Sequence, residues 1–156
     1  MSSDFTLGSL YLAAFAQATS PHIGLIVPVS EGTGHLVHLR MERESINGWV
    51  FEEKTENLSG NIFLTSLLKI HDIHTGNMTI EKLTEVAKKL PVPANDLRGE
   101  CGVWACRLVE ELHNSGMVNL TSVRDLRKEI DDFAAGNRQF MQRNKLPNVA
   151  VSKWCS

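Results

Sequence analysis

Cys101, His22 and His38 are the residues of this chain whose types could together do covalent chemistry. A thiol attacks a carbonyl carbon when a base takes its proton, and imidazole has a proton affinity suited to that task near neutral pH. The stretch from Asn95 to Leu108 places Cys101 in the first turn of a predicted helix. There the positive end of the helix dipole favours thiolate over thiol and makes a better nucleophile. At about 100° per residue, Cys101, Ala105, Leu108 and Leu112 form one stripe with Trp104 and Val109 on its flanks, so the thiol points to the core or to a cleft in it. Cys106 lies off that stripe. A cysteine that only packs would occupy the same position, because cysteine is among the residue types most often buried. Both readings stay open.

His22 opens the apolar segment Ile23-Gly24-Leu25-Ile26-Val27, and His38 lies in Leu36-Val37-His38-Leu39. Paired as an antiparallel hairpin, these segments put both imidazoles on one face if the intervening loop sets that register, since the separation is even. Taken singly, His22 could cap a strand edge and His38 could face solvent. His35-Leu36-Val37-His38 and His71-Asp72-Ile73-His74 have the i, i+3 spacing of metal ligands on a helix. On a strand that spacing sends the side chains to opposite faces, so no metal site is expected. Trp104, one helical turn from Cys101, would wall any cleft there and is the candidate substrate-binding residue.

Strands must carry the histidines and a helix the cysteine, and the patterning supplies both. Segments 10–17, 22–29, 35–42, 49–55 and 62–70 read as strands, separated by Thr19-Ser20-Pro21, the Gly32 and Gly34 turn, Asn47-Gly48 and Ser59-Gly60-Asn61. The period then changes. Thr79 to Leu90 predicts a helix with a Thr cap, an early Glu and late lysines; a second runs from Gly102 to His113, which sits favourably at the negative end of the dipole; a third runs from Ser122 to Arg143 with Val123, Leu126, Ile130, Phe133 and Phe140 inward. The expected fold is α+β: an antiparallel sheet of about five strands packed by about three helices. One domain covers 1–156, strand-rich over 10–70, helical over 79–143, with an irregular tail over 144–156 in which Cys155 is an exposed free thiol.

Length and charge set the limits. With 156 residues and 42% hydrophobic content the chain suffices for one core. Its 16 basic and 18 acidic residues are mixed along the chain, which argues against nucleic acid as a partner. Three cysteines make no paired framework and fit a reducing, cytoplasmic setting. An Ala-x-Ala pattern near Ala16 imitates a signal-peptidase site, but the segment before it carries Asp4 and no Lys or Arg. No apolar run approaches the roughly 18 residues of a membrane span.

The sequence from His22 to Val27, then Leu36-Val37-His38-Leu39, then a helix-start Cys101 with Trp104 three residues on, resembles the circularly permuted papain-like cysteine hydrolases, the superfamily that includes lecithin:retinol acyltransferase-like proteins. It is also similar to a small uncharacterised fungal branch with a cysteine helix of this kind. The resemblance spans residues 20–112 in order of elements and rests on few identities. It implies a permuted papain-like fold in which Cys101 is the nucleophile, His22 the base, His38 its orienting partner and the first backbone N–H groups of the helix the oxyanion donors. The function so implied is a soluble hydrolase or acyl-transfer enzyme acting on an amide, ester or thioester of a small molecule or peptide, without a cofactor. The chain departs from the pattern at Glu100, where Asn is usual; a carboxylate there opposes the thiolate. That departure points to the alternative, an inactive member that binds a small molecule or a protein. Self-association through a helix face or the Trp154 segment is a third expectation.

Overall fold

The protein is described by a computed structural model, which places residues 5–17, 20–42, 48–76, 78–94, 97, 99–138 and 147–156. Strands come first: β1 (Leu10–Phe15), β2 (His22–Pro28), β3 (Thr33–Met41), β4 (Trp49–Asn57) and β5 (Leu64–His71). Helices α1 (Ile80–Lys89), α2 (Glu100–Asn114) and α3 (Val123–Asn137) follow, and a short strand β6 (Asn148–Val151) ends the series. The sheet order is β4-β3-β2-β1-β5-β6. All pairs are antiparallel except β5 with β6, so among the described residues the architecture is α+β with a six-stranded mixed sheet and three α-helices.

Two features differ from expectation. The tail read as irregular supplies β6, and its parallel pairing with β5 makes the sheet mixed rather than antiparallel. Asn-Val-Ala-Val is too short for a period to show. What holds it are partners from elsewhere: Asn148 Nδ2 donates to Asn137 Oδ1 at 2.9 Å, and the Ser152 N–H donates to the Lys69 carbonyl at 2.9 Å. Cys155, expected to be exposed, is buried beside the bridge it makes with Leu120. The helix starts agree with the reading: Thr79 and Ser122 cap α1 and α3 through their hydroxyls. The Phe140 end of the third predicted helix lies outside the described residues.

Strand alternation divides the interior into two clusters. On β1 every residue is buried, because the strand is central: Leu10, Leu12 and Ala14 face the helices while Tyr11, Ala13 and Phe15 face the other side. On β2 the helix face carries Ile23, Leu25 and Val27, and Ile26 faces away. α2 lies on β2 and β3 and touches both other helices, burying Cys101, Trp104, Ala105, Leu108, Val109 and Leu112 against the sheet. Among the described residues no helix is long and apolar enough to cross a membrane.

Gly24 lets β2 and β3 meet on the face away from the helices. A methyl group built on it would stand 2.8 Å from His38 Cβ, 3.0 Å from a Leu36 methyl and 3.1 Å from the Val37 carbonyl oxygen. Since backbone cannot yield cheaply, Gly24→Ala is expected to cost about 1–3 kcal/mol, read as a lower urea midpoint at unchanged m-value.

Candidate binding site

His22 stands at the start of β2, opposite Phe15 of β1. Because side chains alternate, it shares the Gly24 and Ile26 face and projects away from α2. His38 on β3 and Glu52 on β4 face the same way and are direct cross-strand partners. His22 Nε2 lies 2.6 Å from His38 Nδ1, and His38 Nε2 lies 2.8 Å from Glu52 Oε1. The other carboxylate oxygen of Glu52 is 3.0 Å from Arg40 Nε. Four side chains from three adjacent strands thus form one polar row.

Burial lowers the pKa of both histidines. His22 falls from 6.5 to about 4, through desolvation first, then the neighbouring His38 and Lys54, with Glu52 opposing. His38 is lowered by desolvation, against the hydrogen bond and charge of Glu52. At Glu52, partial desolvation pushes upward, but the His38 hydrogen bond and Arg40 outweigh it and hold the carboxyl below its ordinary range. Near neutral pH the row is therefore two neutral imidazoles on a carboxylate, and the proton positions follow. A carboxylate only accepts, so His38 Nε2–H donates to it, His38 Nδ1 must accept, and His22 Nε2–H donates in turn. His22 Nδ1 is left as a bare acceptor.

The row borders a cavity of about 480 Å³, within the roughly 300–1,000 Å³ usual for small-molecule sites. Phe15, Leu36 and Phe63 supply its apolar walls, and Lys54, Glu56 and Asn61 its rim. Lys54 Nζ is 3.2 Å from Glu56 Oε2, and Asn61 Nδ2 donates to Glu56 Oε1 at 2.9 Å.

The structure brings His22 and His38 together and leaves Cys101 and Trp104 on the other side of the sheet. Cys101 is in the first turn of α2, as expected, but its sulfur belongs to the cluster between sheet and helices and has the Pro21 carbonyl 4.0 Å away. Burial raises the thiol pKa and outweighs the nearby Ile23, Gly102 and Cys101 backbone N–H groups and the Arg127 guanidinium, all of which favour thiolate. Trp104 is 2% exposed and packs in the helix-side core, tilted against Phe51 with ring centroids 5.9 Å apart. The residue missed in the sequence is Glu52. Its signal was present in the strand alternation of β4, where Glu52, Lys54 and Glu56 share a face, but its partner depends on the β3–β4 register.

Of the i, i+3 histidine pairs, His35 turns to Glu53, 3.3 Å away, while His38 faces the cavity; His71 is buried and His74 exposed. Among the described residues no group of three or more His, Cys, Asp or Glu side chains is placed to hold a metal ion. No protein-family model, curated protein or solved structure matches this chain.

The histidine row makes stability depend on pH. In the unfolded chain His22 takes a proton at 6.5 and in the fold only at about 4, so between those values the unfolded state holds more protons. Stability is accordingly expected to fall as pH drops through that window, with His38 adding in the same direction, and to be indifferent to His22 above it. Urea unfolding at closely spaced pH values should show this slope, reduced in His22→Asn, and the His22 ring should remain neutral by NMR at pH 5.5.

Proposed function

We propose that this chain is a non-covalent binding domain that takes a small organic molecule, or a side chain of similar size, in the cavity beside His22 and His38. The observation that carries this reading is the separation of the two reactive groups by the sheet. The imidazole row borders an open, partly apolar cavity, while the thiol that could have used it as a base is buried against β2 on the opposite face. A cavity with apolar walls and a few convergent polar groups is the usual form of a ligand site.

The covalent alternative, in which Cys101 attacks an amide, ester or thioester and His22 moves the proton, draws support from the thiol's place in the first turn of α2. The order of elements, a strand opened by a histidine, a second histidine strand and then the cysteine helix, also favours kinship with the permuted papain-like proteins. Against activity stand the raised thiol pKa and the orientation of His22, since proton transfer needs the two groups within hydrogen-bond reach. A member of that superfamily that keeps the strand order but works by binding accommodates both sets of observations.

Alkylation separates the two readings. Iodoacetamide labelling followed by mass spectrometry is expected to find Cys101 slow up to pH 9, with a rate that His22→Ala does not change while the fold is retained. Fast labelling of Cys101 near neutral pH that depends on His22 would restore the enzyme. In parallel, Cys101→Ala is expected to leave ligand-induced shifts of cavity resonances unaltered.

A further inference from the structure

We propose that the cavity selects uncharged ligands that combine a flat apolar body with a single N–H or O–H donor, and that the donor is read by His22 Nδ1 through the His22–His38–Glu52 chain. The inference rests on the binding reading above and specifies its ligand class.

Three observations lead to it. The first is the direction of the hydrogen bonds. Glu52 can only accept, and each imidazole between it and the cavity relays that constraint, which reaches His22 Nδ1 as a lone pair with no N–H. Among the described residues no hydrogen-bond partner occupies that nitrogen. An isolated imidazole can switch tautomer to suit donor or acceptor; here the switch would leave a buried N–H or lone pair unmatched at His38, which is 6% exposed. The second is shape and polarity: Phe15 and Leu36 are buried beside the cavity and Phe63, 52% exposed, offers its ring at the opening. The third is charge. Among the described residues the two charged side chains lining the cavity, Lys54 and Glu56, pair with each other, and Glu52 is engaged by Arg40, so neither an anion nor a cation finds an uncommitted partner there.

The discrimination is of the kind seen where a site is built around one hydrogen bond. A ligand of the same shape without the donor leaves the acceptor desolvated and unpaired, whereas one with an acceptor in that place meets lone pair against lone pair.

Indole and 1-methylindole test it directly, being matched in body and differing in the donor. Titrated into the full chain and followed by NMR of the His22 and Phe63 resonances, indole is expected to bind on the order of fivefold to tenfold tighter than 1-methylindole. In Glu52→Gln the side-chain amide can donate to His38 Nε2 as readily as accept from it, so the chain has no imposed direction and the preference should shrink towards one. His22→Phe should abolish the preference while retaining 1-methylindole. Equal binding of the two ligands to the wild-type chain, or a preference that survives both substitutions, overturns the donor-reading chain and leaves the cavity reading intact. If neither ligand perturbs the cavity resonances, the ligand class and the binding site fall together.

Discussion

The arrangement of this molecule depends on the two-residue period of β2. His22 and Ile23 are neighbours in sequence and end on opposite sides of the sheet, one with Phe15 and His38, the other under α2. The pleat allows no compromise: a strand that seats Ile23, Leu25 and Val27 in the helix-side core must turn His22, Gly24 and Ile26 the other way. Everything chemical follows from that partition. The helix side becomes a dry core that takes in Cys101 and Trp104, and the far side of β2, β3 and β4 collects the polar row and the cavity.

The fate of the cysteine shows which of two effects wins at a helix start. The dipole and first-turn N–H groups favour an exposed thiolate by on the order of 0.3–1 kcal/mol. Removing a sulfur anion from water costs more than this, and at Cys101 the balance is upward. At Cys106 and Cys155 burial likewise outweighs the neighbours that favour thiolate, Arg127 and the Ser156 N–H, and pushes the thiols up to about 12. Position in the first turn therefore does not by itself lower the thiol pKa; burial sets its direction. Arg127, whose guanidinium packs on Gly102 and pairs with Asp131 at 2.9 Å, contributes to closing that end of the helix.

Much of this was legible in the residues, and what was not has an identifiable cause. The five strands up to β5 and the three helices stand where patterning and caps put them, because each has a long enough run for its period to appear. β6 escaped because four residues held by Asn137 and Lys69 carry no period of their own. An even separation allowed His22 and His38 one face, and the β2–β3 register, which the residues alone do not fix, brings them together. Glu52 escaped because a two-residue turn at Asn47-Gly48 would set His38 opposite Asn57, whereas the longer connection sets it opposite Glu52. The helical stripe through Cys101 showed that it faces inward; it could not show that the histidines lie beyond the sheet, since that relation belongs to the packing of α2 on β2.

The β2–β3 connection thereby acquires a meaning beyond joining two strands. Val29 to Gly32 keeps Leu25 opposite Val37, supported by the Ser30 hydroxyl bonded to that of Thr33 at 2.8 Å. Loss or gain of a single residue there, with pairing otherwise kept, would exchange the two faces of β3, turning His38 and Arg40 into the core and Val37 and Leu39 towards the cavity. A substitution at His38 or Arg40 touches one face of β3, but a one-residue insertion or deletion in this turn alters both at once. The length of this loop is thus a constraint that the core and the cavity face share.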